Sequence, residues 1–428
     1  MRGVYVLLLI SLFGYAGRVG GQESVTITQC YEWARANYPQ IHQMGLIDQT
    51  ERYSLSNVGK AWLPQLSVSG KASYQSDVTK LPFDGDKISS LLPGFEIPSL
   101  SKDQYQVVAQ VDQTIWDGGS ARSARALTRA EATANREQLE SELYALNDRV
   151  NQLYFGCLLQ DELIRQNALL QKELLVNIER IEAMMENGVA NQSDLESMEV
   201  ELLNARQNEI ELKASRTVYR QMLATFINKP LTDQVVLKTP ESPERSLSTQ
   251  INRPELRALD AKSEWIETQN KQVTAGLMPR IGAFVQGGYG RPGLNMLEDS
   301  FEPYYVAGVR LSWNLGKLYT LKNDRRKIEV SRRQIDVQRE TFLFNTRLQL
   351  LRQNTEIKKM TDLMRADDDI IRLRTSIKQA AEVKLENGVI SVTDLIREIN
   401  AEDMARQTAA AHRVQRLMTI YNYMYTTN

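Results

Sequence analysis

Histidine and cysteine, two residue types that commonly carry catalysis or bind metals, are scarce and scattered in this 428-residue chain. It has two histidines, His42 and His412, and two cysteines, Cys30 and Cys157. They are too few for the usual zinc site, and no Cys-x-x-Cys pair occurs. The sequence also has no glycine-rich phosphate loop and no nucleophile elbow. We therefore predict no enzyme activity, no cofactor and no metal site, and we expect both histidines to be structural.

Charge and hydropathy narrow the class of protein further. The formal net charge is −1, which argues against a nucleic-acid binder that works by neutralising phosphates. The mean hydropathy is −0.40, and beyond the N-terminus no apolar run approaches the roughly 20 residues of a spanning helix. A bundle of membrane-spanning helices is therefore excluded.

The N-terminus has the order of a secretory signal peptide over residues 1–21. Arg2 precedes an apolar stretch at residues 4–13, and small residues lead to Gly21. A membrane anchor is the alternative, but the apolar stretch is about half the length that it needs. Export would allow Cys30 and Cys157 to pair. Cys157 falls on an apolar helical stripe, which favours a buried free thiol.

The mature chain is a tandem duplication. Residues 186–207 recur at residues 386–407, an offset of 200 residues with nine identities in 22 positions. Two further pairs occur in the same order: 63–66 with 278–281, and 111–119 with 309–317. We predict a first repeat over 22–230, a proline-rich linker over 231–250 and a second repeat over 251–428.

Each repeat contains two stretches in which apolar and polar residues alternate, as in strands. These are ~66–76 and ~104–116 in the first repeat, and ~280–290 and ~304–315 in the second. Each has the ~10 residues that a tilted strand needs to cross a bilayer core. Aromatic residues near the strand ends resemble a membrane girdle: Tyr74, Tyr105, Trp116, Tyr289, Tyr305 and Trp313. An ordinary half-buried sheet of a soluble protein is the alternative.

Long helices fill the rest of each repeat. We predict helices over ~119–186 and ~192–228, and again over ~318–386 and ~392–425, each repeat opening with a further helix. The long helix of the first repeat carries apolar residues at heptad spacing and would measure about 100 Å.

The long helices must end at the Asn-Gly pairs, because Asn and Gly tolerate the left-handed conformation that stops a helix. These pairs are Asn187–Gly188 and Asn387–Gly388. We expect Ser193 and Thr393 to cap the returning helices, with Asp194 and Asp394 in their first turns.

Four strands per chain determine the expected architecture. A sheet in lipid must close into a barrel, and the smallest single-chain barrels have eight strands. Several copies would therefore share one barrel, with their helices in a hollow ring. The predicted fold class is mainly α with a small β part.

The duplicated order, the Leu63–Leu66 entry, the Trp116–Gly119 exit and the Asn-Gly-Val turns resemble the TolC-type outer membrane efflux proteins over essentially the whole mature chain. One departure is Gly316–Lys317 in place of Gly118–Gly119, so the second junction between strand and helix is expected to bend differently.

The resemblance implies a homotrimer with a shared 12-stranded barrel in the outer membrane and a helical tunnel in the periplasm. The chain would be the passive exit duct of a tripartite pump, joined to a periplasmic adaptor protein and an inner-membrane pump. The tip turns that would meet the adaptor contain Asn187, Gly188, Val189, Asp194, Asn387, Gly388, Val389 and Asp394.

The resemblance also implies a narrowing near the tip, often acidic. Asp367, Asp368 and Asp369 lie about 20 residues before Gly388, and any one that faced the lumen would form a ring favouring cations in a trimer. Three successive residues cannot all face it, and a solvated outer face is the alternative. Two other functions remain open at this point: an exit duct for type I protein secretion, and a soluble coiled-coil protein of the envelope.

Overall fold

The structure is a computed structural model that describes residues 24–79, 100–242, 248–296 and 298–428. The predicted signal peptide, residues 1–21, lies outside the described residues, as does part of the predicted linker. Among the described residues, no helix combines the length and the apolar character needed to cross a membrane.

Helices dominate the described chain, which confirms the prediction of a mainly helical fold with a small β part. The helices are α1 (Ile27–Asn37), α2 (Gln43–Lys60), α3 (Ser120–Tyr144), α4 (Leu146–Glu186), α5 (Gln192–Ile227), α6 (Pro254–Ala275), α7 (Lys317–Glu386) and α8 (Val392–Thr427). The strands are β1 (Ser24–Val25), β2 (Gln65–Tyr74), β3 (Asp103–Trp116), β4 (Val236–Leu237), β5 (Arg280–Arg291) and β6 (Glu302–Ser312). A short 3-10 turn covers Pro39–His42.

The helix expected to run unbroken over ~119–186 is interrupted at one residue. α3 ends at Tyr144 and α4 begins at Leu146. The N–H of Ala145 still bonds to the Ser141 carbonyl at 3.3 Å, so the chain continues in a helical direction through the break. In the second repeat, α7 is continuous over 70 residues.

Four strands form one antiparallel sheet in the order β2-β3-β5-β6. The register aligns Val68 with Ala109, Ala109 with Gly287, and Gly287 with Tyr305. Side chains in one such row point to the same face, because successive strand residues alternate between faces. β1 and β4 form a separate parallel pair.

The described chain divides into two compact units. The first, which we call the helical unit, holds Met1–Ile41, Ser141–Arg253 and Leu343–Asn428 as far as they are described. One of its apolar cores surrounds Tyr154 and Phe155, and another surrounds Ile181, Met198 and Leu395. The Tyr154 hydroxyl lies 2.8 Å and 2.7 Å from the carbonyl oxygens of Val25 and Lys238, which fastens β1 and β4 to α4.

The second unit, which we call the sheet unit, holds His42–Glu140 and Pro254–Phe342 as far as they are described. It contains the four-stranded sheet, α2, α6 and parts of α3 and α7. Ile266, Ile328 and Ile335 form a small buried cluster there, which joins α6 to α7.

Candidate functional site

The two tip turns have the same backbone geometry. Gly188 and Gly388 adopt positive φ angles of 73° and 65°. The side-chain amide of Asn187 donates to the Ala183 carbonyl at 2.7 Å, and that of Asn387 donates to the Val383 carbonyl at the same distance. Nothing lies within 4 Å of a Cβ added at either glycine, so glycine is needed here for its conformation and not for space.

The residues that cap the returning helices differ from the expectation. Asn191 caps α5 and Ser391 caps α8, two residues before Ser193 and Thr393. Each cap forms a capping box with an aspartate three residues on, Asp194 or Asp394. The aspartate of a capping box stands at the third helical position. Ser193 and Thr393 come one residue before these aspartates, so they occupy the second helical position and lie inside the helices.

Each tip turn carries an exposed valine, and the helices next to the turns are packed together in a buried apolar cluster. Val189 and Val389 follow the glycines and are 58% and 68% exposed. Beneath them, Ile181, Met198 and Leu385 belong to one buried cluster that includes residues of α4, α5, α7 and α8. Hydrogen bonds from the Ser391 side chain and backbone lower the pKa of Asp394. Each turn therefore presents an apolar side chain and a carboxylate on a fixed support.

A buried ionic network, which we call the Lys378 network, lies in the same unit and was not predicted. The Lys378 ammonium pairs with Glu173 and lies 2.6 Å from Glu402, which is 2% exposed. Glu402 also accepts from Arg406 at 2.6 Å and from the Thr375 hydroxyl at 2.5 Å. Burial acts to raise the pKa of Glu402, but these donors outweigh it and the pKa is lowered.

The neighbouring carboxyl group behaves in the opposite way. Burial, together with the charges of Glu173 and Glu402, raises the pKa of Asp403 to about 6. Aligning the two repeats in the sequence could have predicted this network. Ile178 and Leu202 stand 200 residues before Lys378 and Glu402, so charged side chains occupy positions that are apolar in the first repeat.

The acidic triplet is divided between two environments. Asp367 is buried, and its carboxylate lies 2.7 Å from Nδ1 of His412. Asp368 and Asp369 are exposed, and Asp369 pairs with Arg372 one helical turn away. The candidates for a lumen-facing charge therefore reduce to Asp368 and Asp369. A structural role for His412 stays a prediction.

One face of the sheet is apolar and exposed. We call it the apolar face, and its large side chains include Leu66, Val68, Val107, Val285, Val309 and Leu311, all at least 55% exposed. The opposite, polar face carries Ser67, Gln110, Asp112, Gln286 and Arg310. A contiguous set of exposed apolar side chains on one face of a sheet is typical of an interaction surface.

All six predicted girdle residues are exposed: Tyr74, Tyr105, Trp116, Tyr289, Tyr305 and Trp313. Tyr74 and Tyr105 lie in neighbouring rows at one end of the sheet, and Trp116 pairs with Ile281 at the other end. Tyr305 lies further in, beside Gly287. Their part in a membrane girdle stays a prediction.

Two helices of the helical unit also carry exposed apolar seams. The α5 seam contains Val200, Leu203, Ile210, Val218 and Met222, and the α7 seam contains Phe344, Leu348, Leu351, Ile370, Leu373 and Ile377. Several members are seven residues apart, the repeat of a coiled coil. No described residue covers these seams, so they are suited to contact another helix.

Within the described ranges, no group of three His, Cys, Asp or Glu residues is arranged to hold a metal ion. Cys30 and Cys157 are free thiols in one apolar cluster. Burial raises the pKa of both thiols to about 12.

Comparison with known proteins confirms the predicted resemblance. Residues 30–229 match the family model described as outer membrane efflux protein. No curated protein sequence gives a significant match.

Solved structures share the fold over most of the chain at low sequence identity. The outer-membrane channel OprN is 14% identical, with a TM-score of 0.67 over 94% of this chain and 89% of its own. CusC, a transmembrane channel former, is 14% identical, with a TM-score of 0.66 over 94% and 92%. The open state of the Neisseria gonorrhoeae outer membrane channel MtrE is 14% identical, with a TM-score of 0.64 over 94% and 88%.

Proposed function

From the resemblance to outer membrane efflux proteins, we propose that this chain forms an outer-membrane channel, the passive exit duct of a tripartite pump for small molecules. The observation that carries the proposal is the sheet with one exposed apolar face and one polar face. Such a sheet suits a wall between lipid and water, since the apolar side chains lie on the lipid side and the polar ones line the lumen.

The edges of the sheet support a shared barrel. β2 and β6 have no partner on their outer sides among the described strands. In lipid an unpaired edge costs several kcal/mol for each unsatisfied backbone group. Three copies would close 12 strands, and the α5 and α7 seams would meet between copies. A second and a third copy of this chain are therefore the partners that we assign to these surfaces.

A pair of adjacent substitutions tests the assignment of the two faces. Val68 lies on the apolar face and Ser67 on the polar face, at the fourth and third residues of β2. Val68→Lys would place a charge in lipid at a cost of about 2–4 kcal/mol, whereas Ser67→Lys would meet water. We expect Val68→Lys to be lost from the outer-membrane fraction and Ser67→Lys to be retained there.

The same preparation tests the channel itself. The wild-type protein should stay in the membrane through a salt wash, run as a trimer after cross-linking in mild detergent and conduct ions in planar bilayers. Release by salt without detergent, or equal behaviour of the two lysine variants, would contradict the proposal and favour a soluble envelope protein.

We assign the tip turns to a periplasmic adaptor protein that links the duct to an inner-membrane pump. Val189 and Val389 supply exposed apolar contacts beside Asp194 and Asp394. Val189→Cys and Val389→Cys variants should each cross-link to one and the same protein in cells. Met404→Cys, which is exposed on α8 away from the turns, should not do so. Cys30 and Cys157 need no removal, because their thiols stay protonated at neutral pH.

We also propose that Asp368 or Asp369 narrows the lumen and favours cations. Conductance and reversal potential of Asp368→Ala and Asp369→Ala channels test this role. Asp367→Ala serves as the comparison, since its carboxylate is held by His412. Unchanged cation selectivity in all three variants would remove the acidic constriction from the proposal.

A further inference from the structure

We propose that a recess on the polar face of the sheet binds small anions that carry an aromatic ring. The recess has a volume of about 410 Å³ and lies within the sheet unit. Its lining includes Trp62, Arg280, Phe284 and Arg310. Ligand pockets in proteins usually start near 300 Å³ and combine apolar walls with a few placed polar groups.

The strand register builds an aromatic floor in this recess. Phe284 on β5 lies beside Gly308 on β6 and Asp112 on β3. A Cβ at Gly308 would lie 3.1 Å from the Phe284 ring, so the glycine leaves room for the ring to lie against the sheet. The guanidinium carbon of Arg310 lies 4.8 Å from the ring centroid, a cation–π contact that holds the arginine over it.

The charges of the recess favour an anion. Arg280 is exposed, and no described carboxylate pairs with it. Asp117 is already engaged, because its carboxylate accepts the N–H groups of Gly119 and Ala121 at 2.9 Å and 2.6 Å. Asp112 accepts from the Gln110 amide at 2.7 Å and stands 4.0 Å from Arg310.

The pair of Arg310 with Asp112 leaves the arginine available. Its side chain is 59% exposed, and an ion pair at this distance and exposure is weak. Two guanidinium groups can therefore face an incoming carboxylate or sulfonate, for which their fork of N–H donors is suited. A ring attached to that anion can stack beside Phe284 and Trp62.

The arginines and the aromatic wall of the recess together determine the chemical class of the ligand. A simple anion would leave the aromatic wall unused, and a ring-bearing cation would find both carboxylates of the recess, Asp112 and Asp117, already engaged in hydrogen bonds. If the polar face lines a lumen, which rests on the proposed function, such solutes would meet this recess in transit. Binding itself needs only the folded sheet unit.

Isothermal titration of the full chain tests the proposal directly. The protein is held in nanodiscs of zwitterionic phosphatidylcholine, and empty discs provide the background. Naphthalene-2-sulfonate is the probe, and methanesulfonate and 2-naphthylmethylammonium are the comparison ligands. We expect binding of the first and at least tenfold weaker binding of the other two, from the loss of stacking or of charged hydrogen bonds worth about 1.5 kcal/mol or more.

Substitutions locate the site. Arg310→Gln and Arg280→Gln should each weaken binding of the probe by about tenfold. Lys71→Gln is the matched control, because Lys71 is an exposed cation on the same face and pairs with Gln106, six residues along β3 from Asp112. Phe284→Leu should weaken the naphthalene probe while keeping an apolar floor.

One variant is expected to gain affinity, so a folding defect cannot imitate its result. Asp112→Asn removes the carboxylate that competes for Arg310 and should tighten binding about threefold. No binding by the wild type, or equal binding by all the variants, would overturn the inference. A protein that binds the probe but forms no channel in planar bilayers would overturn the proposed function alone.

Discussion

The two repeats have the same geometry at their Asn-Gly tip turns but different side chains about ten residues further along the helices. Both turns have a glycine at positive φ, an asparagine that bonds to the preceding helix and a capping box. Further along, the first repeat has Ile178 and Leu202, whereas the second has Lys378 and Glu402. A buried leucine and a partly buried isoleucine therefore suffice to join helices at these positions, and the charged pair is an addition that the hairpin does not require.

The junctions between strand and helix differ as well. In the first repeat Gly118 and Gly119 both have positive φ, at 68° and 84°, whereas Gly316 does not. The loss of one glycine in the second repeat predicted a different bend, and the backbone confirms it. Substitutions at matched positions can measure how much each difference contributes to stability.

The largest effect is expected at Gly118. A Cβ there would lie 2.6 Å from Cβ of Met278 and 3.0 Å from the Pro279 carbonyl, in addition to the strain of its positive φ. Gly118→Ala should lower the free energy of unfolding by about 4 kcal/mol, from strain and overpacking together. Urea unfolding of the full chain in detergent, followed by circular dichroism, measures it.

Two other glycines calibrate that value. Gly119→Ala meets nothing within 4 Å and should cost about 1–2 kcal/mol from strain alone. At Gly316 the nearest atom is the movable side-chain oxygen of Asn314 at 3.3 Å, so Gly316→Ala should change stability by less than about 1 kcal/mol. Equal losses at Gly118 and Gly316 would show that the junctions do not differ energetically.

The Lys378 network gives the next largest effect. Glu402→Leu copies the first repeat at one position and leaves Lys378, Arg406 and Thr375 without their shared acceptor, at a cost of about 3 kcal/mol. The double change of Lys378→Ile with Glu402→Leu copies both positions and should recover most of that loss. Glu173 and Arg406 keep access to water, because their side chains are 29% and 41% exposed.

A thermodynamic cycle over the two single variants and the double variant measures the coupling. Additive losses would contradict a shared network. The exposed pair of Asp369 with Arg372 is the matched control, and its removal by Asp369→Ala should cost at most about 0.5 kcal/mol.

The sequence predicted local features well where a residue type or pattern is compatible with only one backbone conformation. The Asn-Gly pairs marked the turns, because few residues tolerate positive φ, and strict alternation marked the strands. The capping residues were misplaced by two positions, since Ser193 and Thr393 are also good caps and only the backbone shows which residue has extended φ and ψ. The Lys378 network depends on side chains from three helices, and no spacing within one helix reveals it.

Acid and base sensitivity should separate two adjacent carboxyl groups. Asp403 has its pKa raised from 3.8 to about 6, so its contribution to stability is full below pH 4 and is lost as pH rises through 6. Glu402 has a lowered pKa, so its contribution is present above pH 4.5 and lost as pH falls. Of these two carboxyl groups, Asp403 is therefore the one that contributes a slope between pH 5 and 7.

Asp403→Asn should remove that slope. Relative to the wild type, the variant should gain about 1 kcal/mol of stability between pH 5 and pH 7. The shift of the Asp403 pKa from 3.8 to about 6 corresponds to about 1.3 kcal/mol over that interval, and partial exposure of the carboxyl group reduces it. Urea midpoints at the two pH values measure the difference. An unchanged difference between variant and wild type at the two values would show that Asp403 is not the titrating group.

The smallest effects concern the turns, where the repeats agree. Asn191→Ala and Ser391→Ala each remove a capping side chain with the same geometry and should each cost about 1 kcal/mol. Ser193→Ala and Thr393→Ala, one helical position before the box aspartate, should change stability by only a few tenths of a kcal/mol. Unequal losses at 191 and 391 would mean that the supports beneath the turns differ. Because the helices beneath both turns belong to one buried cluster, equal losses are the expected result.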